Sequence, residues 1–100
     1  MIYLTQLIYL KEGQEAVFHE FESQAIPIIS HYKGQLLLRL RPDPSAYLEV
    51  NIEPPYEIHL VSFESQEDFE RFMRDKTRKQ FLHLKEQSIR AQLLIKGVSL

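Results

Sequence analysis

The strongest constraint in this chain is a change of hydrophobic period at Gly34. Before it, Val17, Phe18, Phe21, Ala25, Ile28, Ile29 and Tyr32 recur at three- and four-residue steps, which places them on one stripe of a helix. After it, Gln35–Arg41 alternates, and a strand sends alternate side chains to opposite faces. That parity puts Leu36, Leu38 and Leu40 on a core face. Leu37, Arg39 and Arg41 fall on the other, looking toward whatever covers the sheet there. Pro27 removes one backbone donor from the helical stripe and predicts a bend. Gly34 sits where a left-handed residue closes a helix, a conformation cheap for glycine.

The same reading extends along the chain. Ile2–Leu10 is apolar except for Thr5 and Gln6 and reads as a strand with both faces partly buried. It lacks a basic leader and falls short of the about 18 apolar residues of a membrane span, so no membrane partner is expected. Pro42-Asp43-Pro44-Ser45 is a turn by composition. Ala46, Leu48, Val50 and Ile52 then alternate with polar residues and predict a short extra strand, ended by Pro54-Pro55. Tyr56–Phe63 reads as a central strand. Ser65 caps a second helix bearing Glu67 and Asp68 in its first turn and Phe69, Phe72 and Met73 on its apolar stripe. A further short helix is expected from about Arg78, and Ile89–Leu100 closes the chain as a strand with Ala91, Leu93 and Ile95 on one face.

Strand, helix, strand, strand, helix, strand is the ferredoxin-like βαββαβ plan of the α+β class, a four-stranded antiparallel sheet with helices on one side. With 100 residues, a single domain over 1–100 is expected. Two helices cover one sheet face, yet Tyr3, Leu7, Tyr9, Leu37 and Leu94 place apolar groups on both. Packing the second face against another copy gives a homodimer with a barrel of two sheets. A formal charge of −2 disfavours nucleic acid as a partner, and the absence of cysteine removes disulfide and thiolate chemistry and suits a cytoplasmic location.

Two segments carry a family resemblance. Ile26-Pro27-Ile28-Ile29 with His31-Tyr32-Lys33-Gly34-Gln35-Leu36-Leu37-Leu38-Arg39 resembles the helix end and second strand of small uncharacterised proteins of the dimeric α+β barrel superfamily. Glu57–Phe69 is similar to their third strand, Phe-x-Ser corner and second helix. The resemblance implies a homodimer associated through its sheet faces, related in fold to antibiotic-biosynthesis monooxygenases. It departs from them at Ser62, where many relatives carry an acid, and in a longer 42–55 insertion. A fold of this kind hosts several functions and selects none.

Arg39 matches the strand arginine of those proteins and is expected to face the space between sheet and partner, where a guanidinium can clamp a carboxylate or enolate. Its plainer reading is an ion pair with Glu64 or a partner's acid, and Arg41 reads as a solvated rim charge. His59 is the candidate acid or base, although a lone histidine on an apolar strand face is more often a hydrogen-bonded structural residue. Tyr3, Tyr9 and Ser62 complete the candidate ligand contacts. His19 and Glu22, three apart on the first helix, lack a third ligand, so no metal is expected. His31 suits a helix C-terminus, and His83 faces solvent. No phosphate loop, nucleophile motif or paired-carboxylate signature is present, and no cofactor is implied. The leading expectation is a small-ligand-binding protein. The alternatives are a cofactor-independent monooxygenase or isomerase of a small aromatic or enolisable substrate, and a dimerisation module without a pocket.

Overall fold

The computed structural model describes residues 1–99. Four strands, β1 (Ile2–Leu10), β2 (Gly34–Leu40), β3 (Glu57–Phe63) and β4 (Ile89–Gly97), form one sheet in the order β2-β3-β1-β4. Every neighbouring pair is antiparallel. The helices are α1 (Glu15–Ala25), α2 (Gln66–Met73), α3 (Lys76–Lys79) and α4 (Leu82–Ser88). This is the expected ferredoxin-like α+β plan. β4 stops at Gly97, three residues short of the expected end, and Leu100 lies outside the described residues.

α1 does not simply bend at Pro27. It tightens after Ala25 into a 3-10 segment, Ile26–Tyr32, with the proline in its first turn, where the missing N–H would have no partner in any case. The left-handed residue that ends this segment is Lys33, at φ 58°, rather than Gly34. Glycine is required at 34 for a different reason. A Cβ there would lie 2.6 Å from Ile29 Cγ2 and from Phe63 Cε1, and 2.8 Å from the Ile29 carbonyl oxygen. The corner therefore closes because helix and strand approach too tightly for any side chain.

The strand after the corner corrects the simple alternation. Leu36 pairs with Val61 but Leu38 pairs with Leu60, so the register slips by one residue at Leu37. Such a bulge flips the parity of everything beyond it. Leu36 faces the helices and packs on the Ile2, Leu4, Ile29, Val61 and Phe63 cluster. Leu38 and Leu40, expected in the core, sit opposite Leu60 and Ile58 on the outer face. Arg39, expected outside, is paired with His59 and turns inward under the helices.

A second core cluster joins Ile8, Phe18, Phe21 and Ala25, flanked by Leu10, Tyr56, Phe81, Leu84 and Ile89. Full burial of each large apolar side chain contributes about 2–3 kcal/mol before entropy costs, so both clusters matter to stability. Ser65 caps α2 as expected, accepting from the Asp68 N–H. The extra strand expected over 46–52 does not form. Pro44–Ala46 is a single 3-10 turn, and the chain then runs without ladder partners. It crosses the end of the sheet, where the Tyr9 hydroxyl donates to the Glu53 carbonyl at 2.8 Å and Arg90 pairs with the Glu53 carboxylate at 2.6 Å.

Candidate functional site

The two core clusters do not meet. Between them, under the middle of the sheet, lies a partly enclosed cavity of about 260 Å³, just below the range typical of small-molecule sites. Three residues at core-facing positions keep the clusters apart. Gln6 interrupts the inward row Ile2, Leu4, Ile8; His59, its cross-strand partner, interrupts Val61 and Phe63; Glu22 lies on the apolar stripe of α1 among Phe18, Phe21 and Ala25. Each polar side chain stands where the periodicity calls for a hydrophobe.

His59 and Glu22 line the cavity and belong to a buried cluster with Glu57. Glu22 is 3%, Glu57 1% and His59 7% exposed. The His59 Nε2 lies 3.0 Å from Glu22 Oε2 and 2.5 Å from Glu57 Oε2. From β2, Arg39 donates to Glu22 at 2.8 Å and to Glu57 at 3.3 Å. Arg41 donates to Glu57 at 2.7 Å and stacks over the Tyr56 ring. Arg41 is thus part of the network, not the solvated rim charge that the sequence predicts. Arg39 pairs with Glu22 and Glu57 instead of Glu64, and it does not line the cavity.

Burial works against charge throughout this cluster, and hydrogen bonding decides the outcome. Burial would raise Glu57, yet hydrogen bonds from Glu22, His59 and Arg41 outweigh it and hold its carboxyl at about 2. Glu22 moves up, because burial and the neighbouring Glu57 overcome the hydrogen bond to His59. Burial pulls His59 down, but the hydrogen bonds to Glu22 and Glu57 reverse this and lift it above its usual value. Glu57 is thus held low while its two neighbours, Glu22 and His59, are both pushed up. The His59 Nδ1 carries no hydrogen bond among the described residues.

The three ligand atoms of Glu22, Glu57 and His59 lie within 4.8 Å of one another, the spacing of a cation site. Two arginines already occupy those carboxylates, so a divalent ion would have to displace them. The cluster is an ion-pair network by its own composition. His19, matched with Glu22 in the sequence, turns away to the Tyr56 hydroxyl at 2.6 Å.

Elsewhere on the cavity wall, Arg78 of α3 and Lys85 of α4 supply positive charge. Neither stood out in the sequence: Arg78 belongs to a basic run offset by the acids of α2, and Lys85 is a single lysine on a short helix. The other expected contacts fall on the far side of the sheet. Tyr3 and Ser62 oppose one another on the outer face, and Tyr9 lies there beneath the 42–55 segment and Arg90. None of the three lines the cavity.

No protein-family model matches the chain. No curated protein matches it either. Solved structures do. A protein of unknown function from Rhodopseudomonas palustris superposes with a TM-score of 0.80 at 13% identity, over 99% of this chain and 82% of that one. A DABB-family protein with a ferredoxin-like fold from Mesorhizobium loti gives 0.70 at 19%, over 99% and 96%. A putative antibiotic biosynthesis monooxygenase from Nitrosomonas europaea gives 0.76 at 9%, over 100% and 99%. Uncharacterised NIPSNAP domain proteins, one from Burkholderia xenovorans among them, match as well. Identities this low establish architecture alone, and by that architecture the chain is a ferredoxin-like α+β domain built like NIPSNAP, DABB and monooxygenase-type proteins.

Proposed function

We propose that this protein binds a small, largely apolar ligand in the cavity between sheet and helices, and does so as a homodimer. The observation that carries the reading is the split core. A chain that could have filled this space with leucine instead places Gln6, Glu22 and His59 there, and an apolar cavity with a few convergent polar groups is the usual form of a small-molecule site. A direct test is titration with 2-naphthamide, a neutral aromatic probe, followed by its fluorescence. Saturable binding is expected, weakened when Ala25→Leu narrows the cavity; the reading is overturned if the wild type binds neither 2-naphthamide nor its carboxylate analogue 2-naphthoate saturably.

Dimerisation is supported by the outer face of the sheet. Leu38, Leu93 and Ile95 are 50%, 47% and 51% exposed there, beside Tyr3, Leu7, Ile58 and Leu60. A continuous apolar surface of this kind is rarely left in water, and a two-fold copy of itself matches it. Sedimentation at micromolar concentration should give a dimer that Leu93→Glu dissociates. A wild-type monomer removes this part of the proposal.

A second reading rests on His59. Its Nε2 is held by two carboxylates while Nδ1 is free, an arrangement that orients an imidazole and stabilises its cation after it takes a proton. This supports proton abstraction from an enolisable or aromatic substrate, as a cofactor-independent monooxygenase or isomerase would require. Acetylacetone should exchange its acidic protons with deuterated solvent faster in the presence of the protein than in buffer, and His59→Gln should abolish the difference. Equal rates with and without protein discard it.

A further inference from the structure

Arg78 is 6% exposed, among the more deeply buried charged groups of the chain, and it lines the cavity. Among the described residues no carboxylate pairs with its guanidinium. Its polar contact is a long one, Nη1 to the Met73 carbonyl at 3.4 Å, and its Cζ lies over the Phe72 ring, 5.2 Å from the centroid. The acid nearest in sequence, Asp75, is engaged otherwise: it caps the backbone N–H of Arg78 and accepts from the Tyr32 hydroxyl. Lys85 lines the same cavity and likewise forms no ion pair among the described residues. The acidic residue on the cavity wall, Glu22, is committed to Arg39 and His59.

Asp75 acts on Arg78 through space but forms no ion pair with its guanidinium, so an anion placed directly against that guanidinium would further offset the cost of burying it. We propose that the ligand of this cavity is an organic monoanion, an aromatic or branched apolar body ending in a carboxylate or enolate, with Arg78 as its anchoring group and Lys85 as auxiliary charge. The apolar wall formed by Phe18, Phe21, Val61 and Phe69 receives the body, and the guanidinium fork receives the two oxygens. The burial that lowers the pKa of both Arg78 and Lys85 is the same desolvation that an anion would offset. The inference rests on the small-ligand reading of the cavity and narrows it to one charge class.

The test compares 2-naphthoate with 2-naphthamide, two probes of nearly equal shape that differ in charge. Wild-type protein should bind the naphthoate at least about tenfold more tightly, the scale of one charge-assisted contact. Arg78→Gln should erase that preference, bringing the naphthoate-to-naphthamide affinity ratio to about one, and Arg78→Lys should retain part of it. Lys85→Gln should reduce it by a smaller factor. Equal wild-type affinity for both probes overturns the anion assignment and leaves the cavity reading standing. Binding of neither probe overturns both. The wild-type comparison needs no variant, so a misfolded substitution cannot mask the answer.

Discussion

Two groups of charged side chains reach the same cavity, one through Glu22 and His59 and the other through Arg78 and Lys85, and they are built on opposite plans. Around His59 every charge is answered: Glu22 and Glu57 are met by His59, Arg39 and Arg41 within hydrogen-bond distance. Around Arg78 and Lys85 the described residues offer no such answer. The first plan resists perturbation, because each member would leave others stranded in a low-dielectric interior. The second leaves burial of the two cations less fully offset, which is the opening that the proposed anionic ligand would use. Where the two differ, stability and function should separate experimentally.

The largest expected effect lies in the matched group. Glu57→Ala strands His59, Arg39 and Arg41 together, and removing one partner from a buried ion network typically costs about 3–5 kcal/mol. Arg39 and Arg41 are partly solvated, which pulls the expectation to the lower end, near about 3 kcal/mol. Urea denaturation with an unchanged m-value measures it. A loss below about 1 kcal/mol would show that solvent already screens the network, and the contrast would collapse.

Arg78→Met is the opposite case. It replaces a buried cation by an apolar side chain of similar reach, so apo-protein stability should stay level or rise by about 1 kcal/mol. A fall of more than about 2 kcal/mol would mean that the native protein already compensates Arg78, which contradicts the mismatch.

The pH dependence is a smaller and more diagnostic effect. Glu57 has its folded pKa depressed from 4.5 to about 2, so its contribution is complete above the unfolded value and is lost as pH falls through that interval. His59 has its folded pKa raised above 6.5, so its contribution is present below 6.5 and is lost as pH rises through the raised value. The wild type should therefore lose stability on both sides of an optimum near mildly acidic pH. His59→Gln should flatten the alkaline limb and, because His59 also helps hold Glu57 low, shrink the acid limb as well, as read from thermal unfolding across pH. An alkaline limb unchanged by that substitution would assign the titration to another group.

Much of the fold was written in local patterns. The helical stripe from Val17 to Tyr32, the Ser65 cap and the alternation in the closing strand report conformation over a few residues, and the structure forms each element where its pattern lies. The site was only half legible. Gln6 in an apolar strand and His59 on an apolar strand face were visible as misplaced polarity, whereas Glu22 read as half of a His19–Glu22 pair and its burial on the apolar stripe emerges only in the structure. Nothing in the sequence joined them, since Glu22 and Glu57 are 35 positions apart and meet only because α1 lies across β3. The sequence by itself determined the order of elements and the polar positions that interrupt its core. Tertiary structure decided which side of the sheet each arginine serves. One extra residue at Leu37 turned Arg39 from the presumed partner face to Glu22, because strand parity is a running count that a single bulge resets.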